Sequence, residues 1–129
     1  MNKLQVTSDK IQVITYKKLK VWQESHKLAL LIYSLTRNYP KSEIFGLISQ
    51  MRRAAISVPA NIVEGQARKA RKEFIQFLYI AKGSLVELEY FLELSLDLRL
   101  TNKAVFESIS KQRMLVGRLL EGLIRKLRS

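Results

Sequence analysis

The sequence predicts an all-α protein, an antiparallel up-down-up-down four-helix bundle preceded by a short N-terminal arm. Three observations carry that expectation. Only five Gly and two Pro occur in 129 residues, too few for a turn-rich β chain. Four segments of roughly 20 to 28 residues place apolar side chains at helical spacing. The connections between them are short, which makes successive helices antiparallel neighbours. With 47% hydrophobic and 26% charged residues the composition is globular, and the length suits one domain built on one core.

Residues 1–18 lack helical periodicity and end in Lys17 and Lys18, so they read as the arm, leaving residues 19–129 for the bundle. The first helix is expected over 19–39, where Trp22, Ser25, Leu28, Ala29, Ile32, Leu35, Thr36 and Tyr39 fall on one face. Pro40 cannot continue it, and Ser42 is placed to cap the next helix with Glu43 beside its positive end. The second helix is expected over 43–68, with Leu47, Met51, Ala54, Val58, Ile62 and Gly65 as its apolar stripe. Pro59 lies inside it and leaves the Ala55 carbonyl without a helical donor, so the expectation is one bent helix rather than two. The third spans 71–98 and carries Phe74, Phe77, Leu78, Ala81, Leu85, Leu88, Leu92 and Ser95 on its core face. Asn102 caps the fourth, whose apolar positions run from Val105 to Leu127 and whose last turn holds Arg125, Lys126 and Arg128, cations that suit a helix C-terminus.

Three groups of residues stand out as candidate sites. Arg53, Ser57, Asn61 and Glu64 form a polar stripe on the second helix. One reading makes it structural, with Ser57 and Asn61 satisfying backbone groups disturbed by Pro59 and Glu64 pairing with a cation such as Arg53. The other makes it the lining of a subunit interface or channel. Tyr79, Gly83, Tyr90 and Leu94 form a second apolar stripe on the third helix, opposite its core face, and point to contact between subunits. Arg68, Lys69, Arg71 and Lys72 crowd the junction of the second and third helices beside a single acid, Glu73. Such a cluster is either a solvated loop end or a phosphate-contacting patch, which Arg52, Arg113, Arg118 and Arg125 would extend. No aromatic residue interleaves the cluster between Gln66 and Lys72, so nothing local supports base stacking.

Catalysis is not expected. His26 is the only histidine and there is no cysteine, which removes thiolate chemistry and the usual zinc and iron–sulfur sites; no metal and no cofactor is expected. Glu87, Glu89, Glu93 and Asp97 lack the Glu-x-x-His pairs of a di-metal bundle. The most apolar stretch, residues 74–100, is interrupted by Lys82 and four acids and cannot span a membrane. Residues 1–20 show no signal-peptide core, and a cysteine-free chain suits the cytoplasm. The balance of 23 Lys and Arg against 11 Asp and Glu, formally +12, favours an anionic partner such as RNA or DNA, with solubility as the bland alternative.

The run from Gln50 to Gly65, QMRRAAISVPANIVEG, followed by Phe77 to Glu89, FLYIAKGSLVELE, closely resembles the 23S rRNA intervening-sequence four-helix-bundle family. Leu19-Lys20-Val21-Trp22, Tyr39-Pro40 and Gly46-Leu47 extend the likeness over about residues 19–127. Val63 stands where many members carry Ala, and the N-terminal arm is longer than is typical. The resemblance implies an antiparallel bundle that assembles into a homo-oligomeric ring, commonly a pentamer, in bacterial cytoplasm, without catalysis. It also implies kinship with the accessory protein of diversity-generating retroelements, which binds a reverse transcriptase and nucleic acid. Two functional expectations follow. The first is an oligomeric protein whose basic rim binds RNA or DNA with little sequence specificity, and the alternative is a protein-interaction scaffold or accessory subunit for a reverse transcriptase.

Overall fold

The computed structural model describes residues 15–129; all but the last few residues of the expected arm lie outside it. Four α-helices follow in order: α1 (Lys20–Thr36), α2 (Ser49–Gln66), α3 (Arg71–Asp97) and α4 (Lys103–Arg128). A short 3-10 turn, Thr15–Lys18, leads into α1, and the described residues contain no strand. Neighbouring helices run antiparallel, as the cross-helix contacts show. Ser57 of α2 meets Ser84 of α3, and Arg53 meets Glu87. Lys82 and Glu89 of α3 meet Glu121 and Arg113 of α4. Gln112 of α4 returns to Glu24 of α1.

The apolar periodicity becomes the core. Leu28, Ile32, Met51, Val58, Ile62, Leu78, Leu88, Leu92, Val116 and Leu120 are sealed from solvent. Each buried aliphatic side chain contributes about 1.5–3 kcal/mol relative to exposure, which is what fixes the four helices against one another. Trp22 packs only partly against this core; its ring stacks on His26 at 5.1 Å and takes the edge of Tyr16 at 5.3 Å. The solitary histidine thus serves an aromatic stack at the surface.

The helix ends depart from expectation in informative ways. α1 stops at Thr36 rather than residue 39, closing with Asn38 and Tyr39 amides on the Leu35 and Thr36 carbonyls ahead of extended Pro40. α2 begins at Ser49, six residues later than predicted, because residues 41–48 form a 3-10 turn and a wide π-type turn around Gly46, whose backbone (φ −114°, ψ −110°) is not helical. Ser42 is not the cap: the Glu43 carboxylate accepts the Leu47 amide at 3.3 Å. Pro59 is accommodated inside one continuous helix, as expected. At the end of α3, Arg99 adopts the left-handed region (φ 62°) that glycine favours. Its amide and that of Leu100 bond back to the Leu96 and Ser95 carbonyls, a Schellman closure without glycine. Asn102 caps α4 as predicted, its side chain accepting the Val105 amide at 2.9 Å.

Candidate nucleic-acid interface

α2 ends and α3 begins at the same end of the bundle where α4 terminates. The antiparallel register therefore brings Arg125, Lys126 and Arg128 from the last turn of α4 to the end that carries Arg68, Lys69, Arg71 and Lys72. All seven side chains are exposed. Arg68 pairs with Glu64 at 2.9 Å and lies over the Phe77 ring at 5.0 Å. Among the described residues the other six form no ion pair. Arg128 donates instead to the Tyr79 hydroxyl at 3.0 Å. Of the nearby acids, Glu121 is taken by Lys82 at 2.6 Å, and that bond together with its charge pulls the Glu121 carboxyl below its ordinary pKa. An excess of positive charge thus sits on one end, although Glu121 also feels Arg125 and Arg128; such an excess is the electrostatic requirement for holding phosphates.

Other candidate residues fall elsewhere. Arg52 does not belong to this rim. It sits near the start of α2, roughly 24 Å along the helix from Arg68 at 1.5 Å per residue. There it donates to the Thr36 hydroxyl at 2.9 Å and covers the Tyr33 ring at 4.4 Å, clamping α1 to α2. Arg113 is mostly buried beside Glu89 at 3.5 Å. The polar stripe forms no single cluster. Asn61 donates to the carbonyl and hydroxyl of Ser57 at 2.8 and 3.0 Å, and Ser84 of α3 donates to the same hydroxyl at 2.7 Å. The carbonyl served is that of Ser57, not the Ala55 carbonyl that Pro59 deprives. Glu64 does pair with a cation, but that cation is Arg68, one turn away; Arg53, eleven residues back along α2, pairs with Glu87 of α3 instead.

The second stripe of α3 divides. Tyr79 and Tyr90 are 43% and 61% exposed, and Gly83 faces open space, with nothing within 4 Å of a Cβ built there. Leu94 shares that angular sector but is half-buried against the core, so it adds less to the exposed surface than the two tyrosines. Ile80 and Val86, which the sequence reading passed over, are 52% and 57% exposed on α3. The signal that would have found them is the same periodicity, read with a wider outer arc.

Fold and charge distribution define a class, the antiparallel four-helix-bundle proteins with one strongly basic end. The chain belongs to the 23S rRNA-intervening sequence protein family, whose sequence pattern matches residues 17–122. It is similar to a crystal structure of a protein of unknown function from the S23 ribosomal protein family of Bacteroides thetaiotaomicron, at 30% identity and a TM-score of 0.73. That likeness covers 81% of this chain and 97% of the other. No curated protein matches it. Among the described residues no helix is long and apolar enough to cross a membrane, and no group of three or more His, Asp or Glu side chains is placed to hold a metal ion.

Proposed function

We propose that this protein is a non-enzymatic, cytoplasmic homo-oligomer that binds RNA or DNA through its basic end with little sequence specificity. The observation that carries the reading is the convergence of two sequence-distant basic segments, residues 68–72 and 125–128, at one end of the bundle, with six of their seven cations outside any ion pair among the described residues. Arg and Lys in that arrangement contact phosphates and not base edges, which yields affinity without sequence readout. The family's association with 23S rRNA intervening sequences fits an RNA partner. Self-association, to a pentamer in the reading drawn from the family resemblance, would repeat the basic end around a rim and add its modest contacts through multivalency.

The test is a titration of unrelated RNA and DNA oligonucleotides at several salt concentrations. Binding should weaken with a log-log slope of about −0.7 to −0.9 for each phosphate neutralised. Replacing Arg68, Lys69, Arg71 and Lys72 together with Gln should flatten that slope. Absence of binding by the wild type at low salt would defeat the proposal.

A protein-docking role, as an accessory subunit for an enzyme such as a reverse transcriptase, has one observation in its favour. Phe45 is 97% exposed and Ile44 46% exposed on the turn before α2, at the end away from the basic cluster. An exposed aromatic on a well-formed turn suits a partner pocket.

A further inference from the structure

Between α3 and α4 runs an open groove of about 540 Å³ lined by both apolar and cationic side chains. Val86, Met114 and Gly117 supply apolar surface, and Arg118 and Arg125 exposed cations, while Arg113 lies deeper, mostly buried beside Glu89. Val86 and Met114 are 57% and 49% exposed, so this apolar surface faces solvent in the single chain. Arg125 also lines a second, smaller hollow with Arg128, and so joins the groove to the basic end. Tyr79 does not line either hollow but adjoins Arg128, which holds its hydroxyl at 3.0 Å, and its ring is 43% exposed. From Arg113 to Arg128 the track extends roughly 22 Å at 1.5 Å per residue. Glu121 also lines the groove, but Lys82 takes its carboxylate at 2.6 Å, so the net charge of the walls stays positive.

A positively charged channel that follows the backbone, with an aromatic ring and apolar surface for the bases, is how proteins hold unpaired strands. A duplex hides its base faces in the stack and can use only the charge. We propose that the α3–α4 groove takes a single strand of RNA or DNA, with Arg118, Arg125 and Arg128 on successive phosphates and a base stacked on Tyr79. This rests on the nucleic-acid reading above and narrows it to the unpaired form. The segment from Gln66 to Lys72 carries no aromatic residue; Tyr79, further along α3, supplies one beside the last turn of α4. The cationic walls select an anionic strand over a neutral apolar segment of another protein.

The experiment compares fluorescence anisotropy of labelled oligo(U) of about 15 nucleotides with a blunt duplex of the same length, at one salt concentration. The full-length wild type should bind the single strand at least about tenfold more tightly than the duplex. Loss of one stacked base costs between about fivefold and about 160-fold in affinity, so Tyr79→Ala should bring the single-strand affinity toward the duplex value. Tyr79→Phe, which keeps the ring and loses the Arg128 bond, should retain most of the preference. Because Tyr79 is a surface residue, an unchanged thermal midpoint verifies that Tyr79→Ala folds. Equal affinity for both forms, or a Tyr79→Ala protein that keeps the wild-type preference, overturns the single-strand proposal while leaving charge-driven binding intact. A wild type that binds neither form, but binds an acidic amphipathic peptide in this groove, overturns both.

Discussion

Among single residues, Glu24 carries the clearest physical consequence. Its carboxylate is buried on α1 yet stays charged, because Gln112 donates to it at 2.8 Å and Lys20 lies at 3.0 Å, with Lys27 at 3.8 Å. The Gln112 bond, then the Lys20 contact, hold its pKa below the ordinary carboxylate value against the opposing effect of burial. A depressed folded-state pKa gives stability that is present above the unfolded value and disappears as pH falls through the folded one. Glu24→Gln should therefore lower stability to denaturant at neutral pH, and the difference from wild type should shrink as pH drops below the usual carboxylate range. A difference that stays constant with pH would show that the charge is not what matters there. Tyr39 illustrates the opposite case. Burial pushes its pKa up, the neighbouring Ser95 hydroxyl offsets this only in part, and the Tyr39 hydroxyl lacks a partner of hydrogen-bond geometry among the described residues.

Within the helices, glycine marks where backbones approach. A Cβ at Gly65 would lie 2.8 Å from both Phe74 Cδ1 and Phe77 Cβ, so this position lets the end of α2 close against the start of α3. Gly65→Ala should destabilise by about 1–3 kcal/mol through overpacking, despite alanine's better helix propensity, when measured by urea unfolding. A neutral or stabilising result would mean that the end of α2 and the start of α3 shift apart at little cost. The same closure positions the basic junction, because residues 67–70 can be so short only if the two helices meet tightly. Most of this was legible in the sequence: three of the four helix starts, the Asn102 cap and the core stripes follow from periodicity and capping chemistry. The late start of α2 was not, since Leu47, which belongs to the wide turn, and Met51, which belongs to the helix, share the same apolar spacing. Only the backbone at Gly46 separates them.

For the whole molecule, the open question of packing falls on the outer face of α3. Gly83 has no neighbour within 4 Å of a built Cβ, although glycine inside a helix costs about 0.5–1 kcal/mol relative to alanine. Ile80 stands one heptad before Glu87, which reaches Arg53 of α2, so it lies toward the α2 side of that face, away from the groove shared with α4. Self-association through Ile80, Gly83 and Tyr90 would cover exposed apolar area and explain the glycine as a place of close approach between copies. Gly83→Ala should then raise the stability of the isolated bundle while weakening association, and Tyr90→Glu should weaken association with helix content unchanged. Sedimentation equilibrium at tens of micromolar, about 1.4 kcal/mol per tenfold in affinity, reads both. A monomeric wild type of 15.0 kDa would refute the assembly.

The sequence by itself determined the helices, their antiparallel order, the buried stripes and the family, because these depend on local spacing and on short connections that leave one economical topology. It also exposed the basic junction at residues 68–72, since those cations are neighbours along the chain. Only the tertiary structure decided which charges act together. It removed Arg52 to the far end as a clamp on Thr36 and Tyr33, and paired Glu64 with Arg68. It brought the last turn of α4 beside the junction and placed Tyr79 against Arg128. The physical reason is that charge and aromatic contacts depend on distance in space, and distance between helices is set by how their buried faces pack rather than by separation along the chain.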